Sequence, residues 1–132
     1  MKIAIAVESD EMKVAKRMGR APWFAIYELE GEQYTLLELA VNEHAKEHDE
    51  EGGHQHHEAH NETEIEHHQQ HLAPLKGVDA ILARAVGPNM GDALAREGLA
   101  VYRFPLNAGK TAPELLDYLI KNRRDLESFK LN

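Results

Sequence analysis

Ile3, Ile5 and Val7 alternate with Ala4 and Ala6 at the start of the chain. A run that is apolar at both parities reads as a strand covered on both faces, with small residues on one of them. Residues 8–20 are polar around Gly19 and read as a loop. Residues 23–29 and 34–41 read as a second and a third strand. Gly31 between them supplies the turn of an antiparallel hairpin. Residues 43–62 hold almost no apolar side chain and contain Gly52-Gly53. Such a stretch cannot bury a core face, so it reads as a flexible insertion.

Thr63-Glu64-Ile65-Glu66 fits a capping box. A helix is predicted from residue 61 or 63 to about Ala73, ended by Pro74 and Gly77. Residues 78–83 read as a buried strand. Gly87-Pro88 opens a helix with proline in the first position, where its missing N–H costs nothing, and Gly98 closes it. Residues 99–104 read as a fifth strand. Thr111-Ala112-Pro113-Glu114 is a second capping box, opening a helix with Leu115, Leu116, Leu119 and Ile120 on one face. Residues 122–132 read as a frayed extension on which Leu126 and Phe129 have the chance to pack.

The order β-β-β-α-β-α-β-α defines an α/β domain over residues 1–132, with a five-stranded mixed sheet and three helices. The first three strands are joined too closely for helical crossovers and pair antiparallel. The last two follow crossovers and run parallel to the first. The ends of strands one, three, four and five then share one edge. Loops 8–20, 84–91 and 105–111 meet there, and ligands of open α/β sheets bind outside such carboxyl ends.

The charge changes the picture by its position. The net charge is −8, and residues 43–71 hold nine acidic residues against Lys46 alone. The rest of the chain is balanced, with 14 acidic and 14 basic residues. No basic stripe suited to nucleic acid is present, and no apolar run approaches a membrane span. The short apolar start does not fit a secretory signal. The chain has no cysteine, so disulfides and thiolate metal sites are excluded, and a cytoplasmic location is expected.

All nine histidines lie between His44 and His71. His44/His48, His56/His60 and His67/His71 are i,i+4 pairs, the spacing with which helices present two metal ligands. On one continuous helix His56, His60, Glu64, His67 and His71 fall within roughly 80° of arc. With His57 and His68 these form a candidate site for divalent zinc, nickel or cobalt. The alternative is a solvated low-complexity loop. Protonating all nine would also take the segment from −8 to +1, so a pH-sensitive tether is a further possibility.

Outside this segment, Arg17 and Arg20 flank Gly19 ahead of a strand and could clamp an anion, or be a turn with solvated arginines. Gly87-Pro88-Asn89 opens a helix N-terminus, where free N–H groups favour anions. Gly109-Lys110-Thr111 looks like the end of a phosphate-binding loop, but the earlier glycine is Phe104. Lys110 can still lend charge to a pocket. With two serines, no cysteine and no histidine outside the segment, nucleophilic catalysis lacks its residues. The carboxylates do not cluster in a way suited to metal-dependent hydrolysis.

Three features together, residues 1–7, the stretch Gly19-Arg20-Ala21-Pro22-Trp23-Phe24-Ala25-Ile26-Tyr27-Glu28, and Gly87-Pro88-Asn89 ahead of a helix ending at Gly98, mark a family. The chain resembles the dinitrogenase iron-molybdenum cofactor biosynthesis family, the NifX and NifB C-terminal-like domains. That resemblance implies a ribonuclease H-like fold and binding rather than catalysis. Its cofactor would be an iron-molybdenum-type or other metal-sulfur cluster, and its protein partner a cofactor-assembly or acceptor protein. The implied pocket would use Arg17, Gly19, Arg20, Gly87 and Asn89. Family members often carry His-Phe where Arg17-Met18 stand here. The ligand lost with that histidine would be replaced by arginine charge or supplied by the His-rich segment.

Overall fold

The computed structural model describes residues 1–9, 11–42 and 72–131. Within them lie five strands: β1 (Lys2–Val7), β2 (Trp23–Glu30), β3 (Gln33–Val41), β4 (Ala80–Ala83) and β5 (Val101–Arg103). They form one mixed sheet in the order β3-β2-β1-β4-β5. β1–β2 and β2–β3 are antiparallel, and β1–β4 and β4–β5 are parallel. The expected α/β class and five-stranded mixed sheet are therefore present.

The alternation in β1 sorts the core into two layers. Ala4 and Ala6 face a cluster with Phe24, Ile26, Ile81, Met90 and Leu94. Ile3, Ile5 and Val7 face a second cluster with Tyr27, Leu82, Phe104, Leu115 and Leu119. The first layer is covered by α1 (Pro88–Arg96) and the second by α2 (Ala112–Lys121). All of β1 beyond Lys2 is buried, as befits a central strand.

Gly31 turns the hairpin at φ 62°, a left-handed conformation that glycine adopts without steric cost. The register slips between Ile26 and Tyr27, which pair with Glu38 and Leu36 and leave Leu37 as a bulge residue. α1 starts with Pro88 and ends before Gly98 at φ 72°, as its sequence predicts.

Four expectations are corrected or bounded. The insertion 43–62 and the helix predicted from residue 61 or 63 lie outside the described residues, save that helix's last two, Leu72 and Ala73. Pro74, expected to end it, instead sits inside a 3-10 turn, Ala73–Leu75, whose Leu75 is fully buried. The fourth and fifth strands are shorter than read. Leu99 is held by the end of α1, its N–H donating to Leu94 O. Asp79 instead pairs with Lys2 through both main-chain and side-chain bonds.

Residues 122–131 are not frayed. Arg123–Phe129 form a 3-10 helix, Lys130 bridges Tyr102, and Leu131 N donates to Val101 O at 2.7 Å. Phe129 packs edge-on against Phe104, with ring centres 5.1 Å apart.

A loop edge built by main-chain bonds

β1, β3, β4 and β5 all run in one direction, so their carboxyl ends share an edge. The loop after β1 binds it together. Met18 N donates to Ala85 O at 2.9 Å, tying that loop to the one after β4. Val14 N donates to Lys110 O at 2.9 Å and Ala112 N to Met12 O at 2.8 Å, tying it to the entrance of α2. Met12 adopts a left-handed backbone at φ 66°, which costs a non-glycine residue roughly 1 kcal/mol.

The Arg17-Met18-Gly19-Arg20 stretch is a single 3-10 turn over Met18–Arg20, with Arg20 N donating to Arg17 O. Met18 is fully buried and anchors the turn in the α1-side core. Arg17 and Arg20 stay exposed, one at each end of that turn. From Lys13 to Tyr27 the chain has four basic and no acidic residues. One of these, Lys13, is paired with Glu8 at 3.2 Å.

Gly87 precedes α1, and no side chain caps that helix. Its φ of −67° is open to any residue, and a Cβ there would meet nothing within 4 Å. The fold itself therefore does not require this glycine. Asn89 Oδ1 is buried and has no hydrogen-bond partner among the described residues. A buried acceptor left unpaired is costly, and native proteins reserve such atoms for a partner.

The entrance to α2 is different. Thr111 caps the helix, its side chain accepting from Glu114 N at 3.4 Å. Glu114, expected to reach back to Thr111 itself, instead accepts from Lys110 N at 2.7 Å. The main-chain N–H of Lys110 is thus already held by a carboxylate, and only its exposed ammonium is offered to the edge. Gly109 packs so closely that a Cβ would lie 2.5 Å from Glu114 Cβ.

The main-chain bond at Met18 brings Arg17, Gly19 and Arg20 to the loop that leads into Gly87 and Asn89. Lys110 joins the opposite end of the 8–20 loop. His44, His48, His56, His57, His60, Glu64, His67, His68 and His71 lie outside the described residues. Among the described residues no group of three or more histidine or carboxylate side chains could hold a metal ion.

Two residues of the edge escaped the sequence reading. Asn42, at the end of β3, is buried; its Nδ2 donates to Ala21 O at 2.8 Å and Met18 O at 3.4 Å, and its N–H to Pro22 O. Arg84 follows β4 directly, and its guanidinium donates to Gly109 O while Nε has no partner among the described residues. The signal for both was positional: each is the first residue after a strand at the carboxyl edge of the sheet.

An open five-stranded mixed sheet with a cation-bearing loop edge defines the class: a small α/β domain of the mixed-sheet type. The chain belongs to the family described as dinitrogenase iron-molybdenum cofactor, whose model matches residues 1–122. It is similar to a Thermotoga protein provisionally named NifB, with 26% identity, 92% of this chain and 89% of that chain covered, and a TM-score of 0.55. The apo orange protein of Desulfovibrio gigas shares the fold at 21% identity, with 94% and 87% covered and a TM-score of 0.57. A protein of Methanocaldococcus jannaschii, provisionally named a dinitrogenase, shares it at 13% identity, with 92% and 89% covered and a TM-score of 0.53. The sequence matches no curated protein. No helix among the described residues is long and apolar enough to cross a membrane.

Proposed function

We propose that the protein is a non-catalytic carrier that binds an iron-molybdenum-type cluster or its precursor at the loop edge. The cluster is its cargo, delivered to or received from a cofactor-assembly or acceptor protein. The observation that carries this reading is the junction at Met18–Ala85. It ties the exposed Arg17–Arg20 turn to the loop leading into α1, a helix start that lacks a side-chain cap. Family membership supplies the class of cargo.

The donor set suits an anionic cluster held from outside. The chain has no thiolate, and Arg17 stands where a family histidine often stands. Arginine offers a planar fork of donors to sulfide or oxo groups on an anion surface. Helix N–H dipoles from residue 89 onward add partial positive charge. Open space at Gly87 allows the main chain to approach the cargo.

Tetrathiomolybdate is a simple molybdenum–sulfur anion with which to test this. The full chain is expected to bind it saturably, and the Arg17→Ala/Arg20→Ala variant to lose that binding. Undiminished binding in the double variant removes the pocket assignment. Elemental analysis of untagged protein from its native host, expected to find molybdenum with iron, tests the cargo itself.

The histidine spacing supports a second role, binding zinc, nickel or cobalt through residues 44–71. A variant lacking residues 43–71 is then expected to lose nickel stoichiometry in a titration while keeping tetrathiomolybdate binding.

A further inference from the structure

A groove lies at the β5 side of the sheet, reached from the end of β4 through Arg84. It is an open groove of about 520 Å³ between β5, the 105–106 segment and the returning tail. Three cations line it, Arg84, Arg103 and Lys130, and no acidic side chain does so among the described residues. None of the three is ion-paired with a described carboxylate. The rest of the lining is apolar save Ser128. Phe104 forms the floor, and Leu106 and Leu131 stand at the rim, 74% and 43% exposed.

Small-molecule sites are concave, mostly apolar, of a few hundred Å³, with a few polar groups that fix orientation. This groove has that composition with a single sign of charge. Exposed leucines beside unneutralised cations match a ligand with two parts, an apolar body and an anionic head. Arg84 is held in place by its bond to Gly109 O, so part of its ordering cost is met before a ligand arrives.

We propose that this groove binds a small organic anion, a phosphate ester or carboxylate carrying an aryl or acyl body. The anionic head lies among Arg84, Arg103 and Lys130, and the body against Phe104, Leu106 and Leu131. The groove borders the same sheet edge through Arg84 and the 105–106 segment, but none of its lining residues is one assigned to the cargo.

Phenyl phosphate, phenylacetate, inorganic phosphate and benzyl alcohol are the probes, titrated into the full chain by calorimetry and by amide NMR. Phenyl phosphate or phenylacetate, or both, is expected to bind one per chain, shifting Leu106, Lys130 and Leu131; the tighter of the two identifies the head group. Inorganic phosphate and benzyl alcohol are expected to bind at least about tenfold more weakly, since each lacks one part. Arg103→Gln/Lys130→Gln, both exposed positions, is expected to lose about tenfold in affinity with an unchanged amide spectrum elsewhere. Arg17→Ala/Arg20→Ala is expected to bind the probe normally. Leu106→Gln provides an independent check on the apolar wall and should also weaken binding. The proposal is overturned if neither aryl anion saturates, if inorganic phosphate binds as tightly, if the glutamine variants bind unchanged, or if the shifts fall on residues 13–20 and 87–90 and spare 106, 130 and 131.

Discussion

At the scale of residues, Asn42 ties the end of β3 to the edge. Its amide satisfies two carbonyls of the Met18–Ala21 turn from the end of β3. Asn42→Ala takes the donor from Ala21 O in a buried place, while Met18 O keeps its bond from Ala21 N, and costs about 1–3 kcal/mol. Urea denaturation is expected to show that loss, and tetrathiomolybdate binding to weaken with it. The two edge glycines separate fold from function. Gly87→Ala meets open space and is expected to leave the melting temperature unchanged while reducing cluster binding. Gly109→Ala meets Glu114 Cβ and is expected to destabilise by about 1–3 kcal/mol, as overpacking does. Calorimetric melting of the two variants checks the contrast. Arg17 and Arg20 were legible in the sequence as two cations around a glycine. Asn42 and Arg84 were not, because their roles come from strands that meet only after folding.

At the scale of elements, the hairpin, the two described helices and the parallel strands were legible because each carries a strong period or a paired start and stop. The tail was not. Its only apolar side chains between 122 and 129 are Leu126 and Phe129, three apart. That spacing is the period of a 3-10 helix, too short a run to register as helical amphipathicity. The hairpin also carries a pH dependence. Tyr34 donates to Asp117 Oδ1 at 3.1 Å, joining β3 to α2, and sits edge-on to Tyr27. Burial pushes the Tyr27 hydroxyl up; burial, then the Asp117 hydrogen bond, push up that of Tyr34. Both groups stay neutral longer in the folded chain than in the unfolded one. Their contribution is therefore complete below the ordinary tyrosine value of about 10 and is lost as pH rises through the folded values. Urea midpoints measured from pH 8 to 11 are expected to fall at the alkaline end. Tyr34→Phe is expected to flatten part of that fall and to cost about 0.5–1 kcal/mol at neutral pH through the lost hydrogen bond.

At the scale of the whole molecule, charge is segregated along the chain. Residues 43–71 hold the entire excess of −8, and the remainder is neutral. Capture of an anionic cargo by a neutral domain rests on local cations, whose pull is screened beyond about 10 Å at 0.1 M salt. Tetrathiomolybdate affinity is expected to drop as sodium chloride rises from 20 to 300 mM, about tenfold by calorimetric titration. A salt-independent affinity would mean that direct ligation, not charge, holds the anion.

The tail has a consequence for assembly. By lying along β5, Lys130 and Leu131 occupy one border of the sheet, and β3 remains as its open border among the described strands. Fibrillar growth through strand pairing needs two borders per subunit, one to accept and one to offer. A subunit with one can join a single neighbour and then stops. Lys130 and Leu131 thus cover the β5 border, and their removal would leave that border open to strand pairing.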